Sequence, residues 1–473
     1  MNTRKTLALL QSYESRNVTY VAPDGSWPIV WERAKGVHIW DAEGRRYLDL
    51  TAAFGVAAAG HANPRVVKAG QEQMARLTHA MGDVHPHALK ARLARELSRL
   101  TFEKWTAGYC RPPRIQRVGK SDRAKTIFCN SGFEAVEAAL KTALRATGRP
   151  GVIAFCGAYH GLGYGALNAT HREHFRSPFL SQLRQFGHFV PFPRAQPPAA
   201  PSPWSRPAPW LTQVGQVEDS LAESQDQMRR LFRSRRIGAI LVEPIQVRGG
   251  VNVPPPGFLA LLRRLCDQHG ALLILDEIYT GFGRTGKWFA CEHSAVIPDI
   301  ICLGKALAGG FPISACVGRA ALMDMAWPPS TGEAIHTSTF LGNPVGCAMA
   351  LAQIAEIKRR DLVTQSGRKG RALLALLGRL QAEVSPALKS RHCGVLRLEA
   401  RGMGLLAGLE LRTSGGKPAT QVAIDAVTAM LHRGFILLPE GEHANVISFT
   451  PPLTIEVRHL AVTVKALGEA LSA

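Results

Sequence analysis

Four segments of this chain end an apolar run on a side chain that could do chemistry. In Phe128-Cys129-Asn130-Ser131-Gly132-Phe133-Glu134-Ala135, the run passes through Ser-Gly into a helical pattern. Free amides and the positive end of the dipole at a helix start attract phosphate, although Ser131 alone reads equally well as a simple helix cap. In Leu275-Asp276-Glu277 a carboxylate closes a fully apolar run. Such a charge is costly unless a cation meets it; a second helix cap is the alternative. In Pro298-Asp299-Ile300-Ile301-Cys302-Leu303-Gly304-Lys305, a lysine follows an apolar run and precedes Ala-Leu-Ala-Gly-Gly. Desolvation there lowers the amine's pKa and makes it a nucleophile, as a Schiff-base lysine requires. Finally, Ala158-Tyr159-His160-Gly161 sets an aromatic ring beside a glycine turn, which taken alone is more often core than a platform for a ring.

Together these segments supply a phosphate cradle, an acid for a protonated ring nitrogen, an amine for an aldehyde and a face for stacking. That set is the protein side of pyridoxal 5'-phosphate chemistry.

Such residues must be brought together by the elements that carry them. Thr126–Cys129, Val152–Phe155, Ile240–Val242, Leu272–Leu275 and Ile300–Leu303 are short and apolar on both faces, the pattern of strands inside a mostly parallel sheet covered by helices. Ligands bind beyond the carboxyl ends of such strands. The spacing predicts an α/β domain over about 125–318, preceded by a short-strand meander around 36–50 and helices over about 64–77 and 87–100. A long helix over about 345–360 follows, then a smaller α+β domain. The boundaries expected are 1–78 for an N-terminal segment contributing to the small domain, 79–344 for the large domain and 345–473 for the linking helix and small domain. A proline-rich excursion, 191–210, can be neither helix nor central strand.

The chain resembles the class-III aminotransferases, the group of ornithine, acetylornithine and 4-aminobutyrate aminotransferases, from about Gly36 to the C-terminus. The resemblance rests on Gly36-Val-His-Ile-Trp-Asp41, Gly60-His-Ala-Asn-Pro64, Asn130-Ser-Gly-Phe-Glu-Ala135, Tyr159-His-Gly161, Glu243-Pro-Ile-Gln246, Leu275-Asp-Glu277, Gly281-Phe-Gly-Arg-Thr-Gly286, Gly304-Lys305, Thr339-Phe-Leu-Gly-Asn-Pro344 and Arg401-Gly-Met-Gly-Leu405. It implies the aspartate aminotransferase-like fold type I, a large domain with a mostly parallel central sheet plus a smaller α+β domain. Lys305 would hold the cofactor and move the proton, Asp276 would pair with the pyridinium, and Tyr159 would stack on the ring with His160 beside it. Gln246 would lie near the phenolic oxygen, with Glu243 supporting this set. Ser131, Gly132 and Phe133 would hold the phosphate, reached by Thr339 from a partner subunit, so a homodimer is implied. Arg401 would anchor a substrate carboxylate. Transamination between an amino donor and a 2-oxo acid, in a ping-pong cycle, is the activity implied; a racemase or epimerase sharing the same cofactor residues is the alternative.

Two departures bear on the substrate. Leu162 stands where many relatives carry a carboxylate-gripping Arg, and Arg248 stands where dual-substrate relatives carry a Glu that partners the late Arg. The site is therefore expected to take carboxylates through Arg401, Arg248 or both, and to place the rest of the substrate against Leu162 and Phe54.

Bulk properties narrow the field. With 473 residues, the chain is long enough for two lobes around a cleft. Its net charge of +21 would suit nucleic acid, but the basic residues are dispersed, and the densest run, Arg229 to Arg236, reads as a solvated helix face. Anionic metabolites are the expected partners, not nucleic acid. Nine cysteines without metal-ligand spacing read as buried thiols, and no metal is expected. No apolar run approaches about 18 residues, so no membrane span is expected and the cytoplasm is the predicted location. The Gly281–Gly286 segment mimics nucleotide-binding loops, yet Trp288 occupies the position where a magnesium-binding Ser or Thr is required.

Overall fold

The computed structural model describes residues 2–108, 123–194, 211–384, 389–390 and 394–472. Most of the proline-rich excursion thus lies outside the described residues. The expected central strands all form, and two more join them. β4 (Ala124–Cys129), β5 (Gly151–Phe155), β6 (Gly187–Val190), β7 (Ile237–Val242), β8 (Leu272–Asp276), β9 (Ile300–Leu303) and β10 (Ser314–Arg319) make one sheet in the order β4-β10-β9-β8-β7-β5-β6. The run from β9 through β8, β7 and β5 to β6 is parallel. β10 is antiparallel to both its neighbours, so β4 points the same way as β9. The carboxyl ends of β4, β9, β8, β7 and β5 therefore share one edge. β5, β7 and β9 are buried throughout, as residues covered on both faces of a parallel sheet must be. The helix Gly132–Thr147 lies on the sheet through Ala135, Val136, Ala138, Ala139 and Ala143, whose small side chains permit close approach.

Before this sheet, β1 (Trp31–Lys35), β2 (His38–Asp41) and β3 (Arg46–Asp49) form the expected meander. Its fourth strand comes from the far end of the chain, where β14 (Phe435–Ile436) pairs in parallel with β3. A third sheet, in the order β11-β12-β13-β16-β15, is built from β11 (Lys389–Ser390), β12 (Gly394–Met403), β13 (Leu406–Thr413), β15 (Leu438–Glu440) and β16 (Val446–Phe449). The helices Leu362–Val384 and Val457–Ser472 pack together beside it. The helices Pro64–Arg76 and Pro344–Arg359 start alike: an Asn caps the first amides and Pro follows at the position that needs no donor.

Among the described residues no helix is long and apolar enough to cross a membrane, no cluster of potential metal ligands occurs, and the seven described cysteines are free. The Gly281–Gly286 segment is structural. Arg284 is fully buried and donates to the carbonyls of Leu405 and Pro451, and Gly286 lies against Gly367 where no Cβ would fit.

Candidate active site

Strand order dictates what meets at the shared edge. Lys305 follows β9, Asp276 ends β8, Glu243 follows β7, and Tyr159 and His160 lie just past β5. Neighbouring strands are about 4.8 Å apart, so side chains some 150 residues apart in sequence come within reach of one another. Ser131 arrives from β4, where its carbonyl accepts from Ser314 Oγ at 2.6 Å.

Asp276 is buried, and its Oδ2 lies 2.7 Å from His160 Nδ1 while Oδ1 accepts from the Ile278 amide at 3.1 Å. Glu243 accepts from the Tyr159 amide at 2.9 Å and from the Val247 amide at 3.4 Å, tying the turn after β5 to the loop after β7. Burial, with Asp276 adding to it, pushes the Glu243 carboxyl up to about 7, against the pull of His160 and of those two amides. Lys305 has a left-handed backbone, φ +43, which costs a non-glycine residue roughly 1–2 kcal/mol and marks functional positions. Its Nζ lies 4.6 Å from the centroid of the Tyr279 ring. Burial lowers the amine below the ordinary lysine value, opposed first by Asp276 and Glu243.

The helix start after β4 is built as a cradle. Glu134 folds back onto the amides of Asn130 and Ser131, and Gly132 and Phe133 occupy the first turn, where amides have no carbonyl ahead of them. Ser131 Oγ and His160 Nε2 are buried with no hydrogen-bond partner among the described residues. Gly161, at φ +106, lies so near Phe133 that a Cβ would come within 2.3 Å of it.

Other expected residues fall around this core. Phe54 and Leu162 are about half exposed, and Phe54 sits in a run of positive φ from Ala52 to Gly55 that presses on Tyr279. Thr339 is exposed. Gln246 is spent on structure: its Nε2 donates to the Cys156 carbonyl at 2.8 Å and its Oε1 accepts from Asn252 at 3.0 Å, leaving one amide proton for a ligand. Arg248 reaches over Tyr159, with Cζ 5.6 Å from the ring centroid and Nη1 3.5 Å from Glu440 Oε1. Arg401 departs from expectation. Its guanidinium is bound to Glu410, Glu399 and the carbonyls of Val251 and Gly250, so a substrate carboxylate would have to displace its buried partners.

Three residues escaped the sequence reading. Tyr279 lies beneath Lys305. Glu440, only 3% exposed, ends β15 beside Arg248; an acid closing the apolar Phe435–Leu438 stretch was the available signal, the same one that marked Asp276. Arg172 is half-buried with its Cζ 5.3 Å from the Phe175 ring, and Phe175 meets Tyr159 edge-on at 5.6 Å.

The class-III aminotransferase family profile matches residues 20–471, and the chain belongs to that family. It is 35% identical over 444 residues to the 5-aminovalerate aminotransferase DavT of Pseudomonas aeruginosa, covering 93% of both chains. An aminotransferase structure from Bacillus anthracis superposes with a TM-score of 0.81 at 25% identity, covering 100% of this chain and 99% of that one. An ornithine aminotransferase structure from Toxoplasma gondii with PLP at its active site superposes at 0.75, with 27% identity and 99% and 94% coverage. The chain is thus an aminotransferase of fold type I using pyridoxal 5'-phosphate, and its relatives do not favour the racemase alternative. The residues present fit that cofactor: the unpartnered Ser131 hydroxyl and first-turn amides offer donors to a phosphate, and the buried Asp276 and desolvated Lys305 amine suit a cationic ring and an aldehyde.

Proposed function

We propose that the chain transfers the terminal amino group of an ω-amino acid to a 2-oxo acid in a ping-pong cycle, as a cytoplasmic homodimer. The observation that carries this reading is the convergence of Lys305, Asp276, His160, Tyr159 and Glu243 at one sheet edge. When bound, pyridoxal phosphate supplies an aldehyde for amines and a cationic ring that withdraws electrons. Asp276, oriented by His160 and the Ile278 amide, would hold the ring N–H. Tyr159 would flank the ring, Gln246 would offer its remaining proton to the phenolic oxygen, and Ser131, Gly132 and Phe133 would hold the phosphate.

Lys305 would hold the aldehyde carbon until a donor amine displaces it. The freed Nζ, kept neutral by burial, would take a proton from the donor carbon and deliver it across the bridging nitrogen to the former aldehyde carbon. Water would release the donor carbon as an aldehyde while its nitrogen stays behind, and the same residues acting in reverse would pass that nitrogen to the oxo acid, whose oxo oxygen leaves as water. Leu162 and Phe54 offer apolar contacts for a methylene chain, and Arg248 offers a cation for a carboxylate. Such a donor is consistent with the 5-aminovalerate named in the Pseudomonas relative.

The dimer rests on exposed apolar side chains. Met81, Val84, Ile335 and Phe340 are each more than half exposed, on segments laced together by Thr337–Asp83 and Asn343–Thr78 hydrogen bonds. A patch of this kind marks an interface. Thr339 lies within it and would reach the phosphate of the second copy.

The test is a half-reaction: holoenzyme is mixed with 5-aminopentanoate, other ω-amino acids and α-amino acids in turn, without acceptor. Loss of the cofactor's visible band with ω-amino acids, and its return on adding 2-oxoglutarate, is expected. Bleaching by α-amino acids alone would overturn the donor assignment.

A further inference from the structure

Arg401 is the residue that resemblance nominates for substrate carboxylates, yet the structure uses it as a strut. Nη1 is 2.5 Å from Glu410, Nη2 donates to the Gly250 carbonyl at 2.6 Å and Nε to the Val251 carbonyl at 3.0 Å. Those carbonyls lie two and three residues beyond Arg248. The same loop is closed by the Gln246–Asn252 bridge and by Gly250 and Val251 amides donating to the Val247 carbonyl. Arg401 therefore fixes the loop that carries Arg248.

Arg248 is held differently. Its side chain is 30% exposed, and its one ion pair among the described residues, to Glu440, is 3.5 Å long. A charge-assisted hydrogen bond is ordinarily about 2.7–2.9 Å, so this pair is open to exchange. Glu440 ends β15, and the next amide, Gly441, donates to the Arg248 carbonyl at 3.1 Å. Arg172, over the Phe175 ring that meets Tyr159, has no ion pair among the described residues and is near enough to Glu440 and Tyr159 to act on their titration. It brings a guanidinium toward the ring ten residues after Leu162, where the expected Arg is missing.

Resting on the aminotransferase reading above, we propose that Arg248, assisted by Arg172, receives the substrate carboxylate, that Glu440 occupies Arg248 between turnovers and yields it to that carboxylate, and that Arg401 is a positioning residue for Arg248. The substrate class is a primary amine carrying a carboxylate a few methylenes away. Glu440 stands in for that carboxylate in the empty site, so Arg248 is never left uncompensated beside the Lys305 amine.

The experiment compares holoenzyme half-reactions with 5-aminopentanoate and with pentylamine, which has the same chain without the carboxylate. In Arg248→Ala the preference for the acid over the amine, as a ratio of rate over half-saturation, falls about 100-fold, the scale of losing one partner of a desolvated charge pair; Arg248→Lys recovers part of it. Arg172→Ala lowers the same ratio by a smaller factor. Glu440→Gln lowers the half-saturation concentration for 5-aminopentanoate by removing its competitor. Arg401→Gln raises that concentration while changing the limiting rate little. An acid-to-amine ratio unmoved by Arg248→Ala, or one abolished by Arg401→Gln in protein that retains Arg248, overturns the proposal. So does an unchanged or weaker response to 5-aminopentanoate in Glu440→Gln. A wild-type protein that bleaches with neither compound defeats the reading beneath it instead.

Discussion

Lys305 and Glu243 share one edge, and burial acts on each in its own way: the amine is driven toward its neutral form and the acid toward its protonated one. Lys305→Ala is expected to lower transamination at least about 10³-fold, within the range for a lost proton carrier, and to change the visible spectrum of the holoenzyme; single-turnover absorbance measures both. For Glu243 the sign of the pH effect follows from its raised pKa of about 7. The native state holds a proton that the unfolded chain has already released above about 4.5, so Glu243's contribution to stability declines as pH rises toward 7. Glu243→Gln removes that slope. Relative to wild type, the cofactor-free variant gains up to about 3 kcal/mol between pH 5 and pH 8, read from urea midpoints; parallel curves for the two proteins would refute it. Lys305 and Asp276 were legible in the sequence because a charge ending an apolar run demands an explanation. Arg172 was not, since nothing local distinguishes an Arg among 57 Lys and Arg residues until the fold sets it beside Phe175 and Tyr159. The commitment of Arg401 to the loop after β7 was equally hidden, because its carbonyl partners there, Gly250 and Val251, lie some 150 residues away.

At the level of elements, the strands that feed the site announced themselves by being apolar on both faces. β6 and β10 did not: Gly187-His-Phe-Val190 and Ser314-Ala-Cys-Val-Gly-Arg319 mix small and polar residues, the first on a partly exposed edge strand and the second buried only by its place between β4 and β9. The antiparallel course of β10 is also what lets β4 deliver Ser131 to the same edge as Lys305, and strand direction has no local sequence signature. The connection between the Gly281–Gly286 segment and the C-terminal half hangs on Arg284. Arg284→Ala would leave the Leu405 and Pro451 carbonyls without this donor in the interior, and is expected to cost about 3 kcal/mol in urea unfolding. A loss below about 1 kcal/mol would show that those carbonyls find another donor.

For the whole molecule, the exposed patch around Met81, Val84 and Phe340 sets the expected assembly. Paired Met81→Asp and Phe340→Asp substitutions are expected to yield a monomer by analytical ultracentrifugation and to weaken cofactor retention, because Thr339 leaves with the partner; a dimer that persists with full retention would place the interface elsewhere. The pairing of β3 with β14 binds the two ends of the chain into one sheet, and it has a consequence during synthesis. Phe435 and Ile436 leave the ribosome about 390 residues after β3, a delay of roughly 20–80 s at ordinary elongation rates. Throughout that interval the nascent meander carries an open strand edge, which makes a newly made chain a client for chaperones until Phe435 and Ile436 arrive.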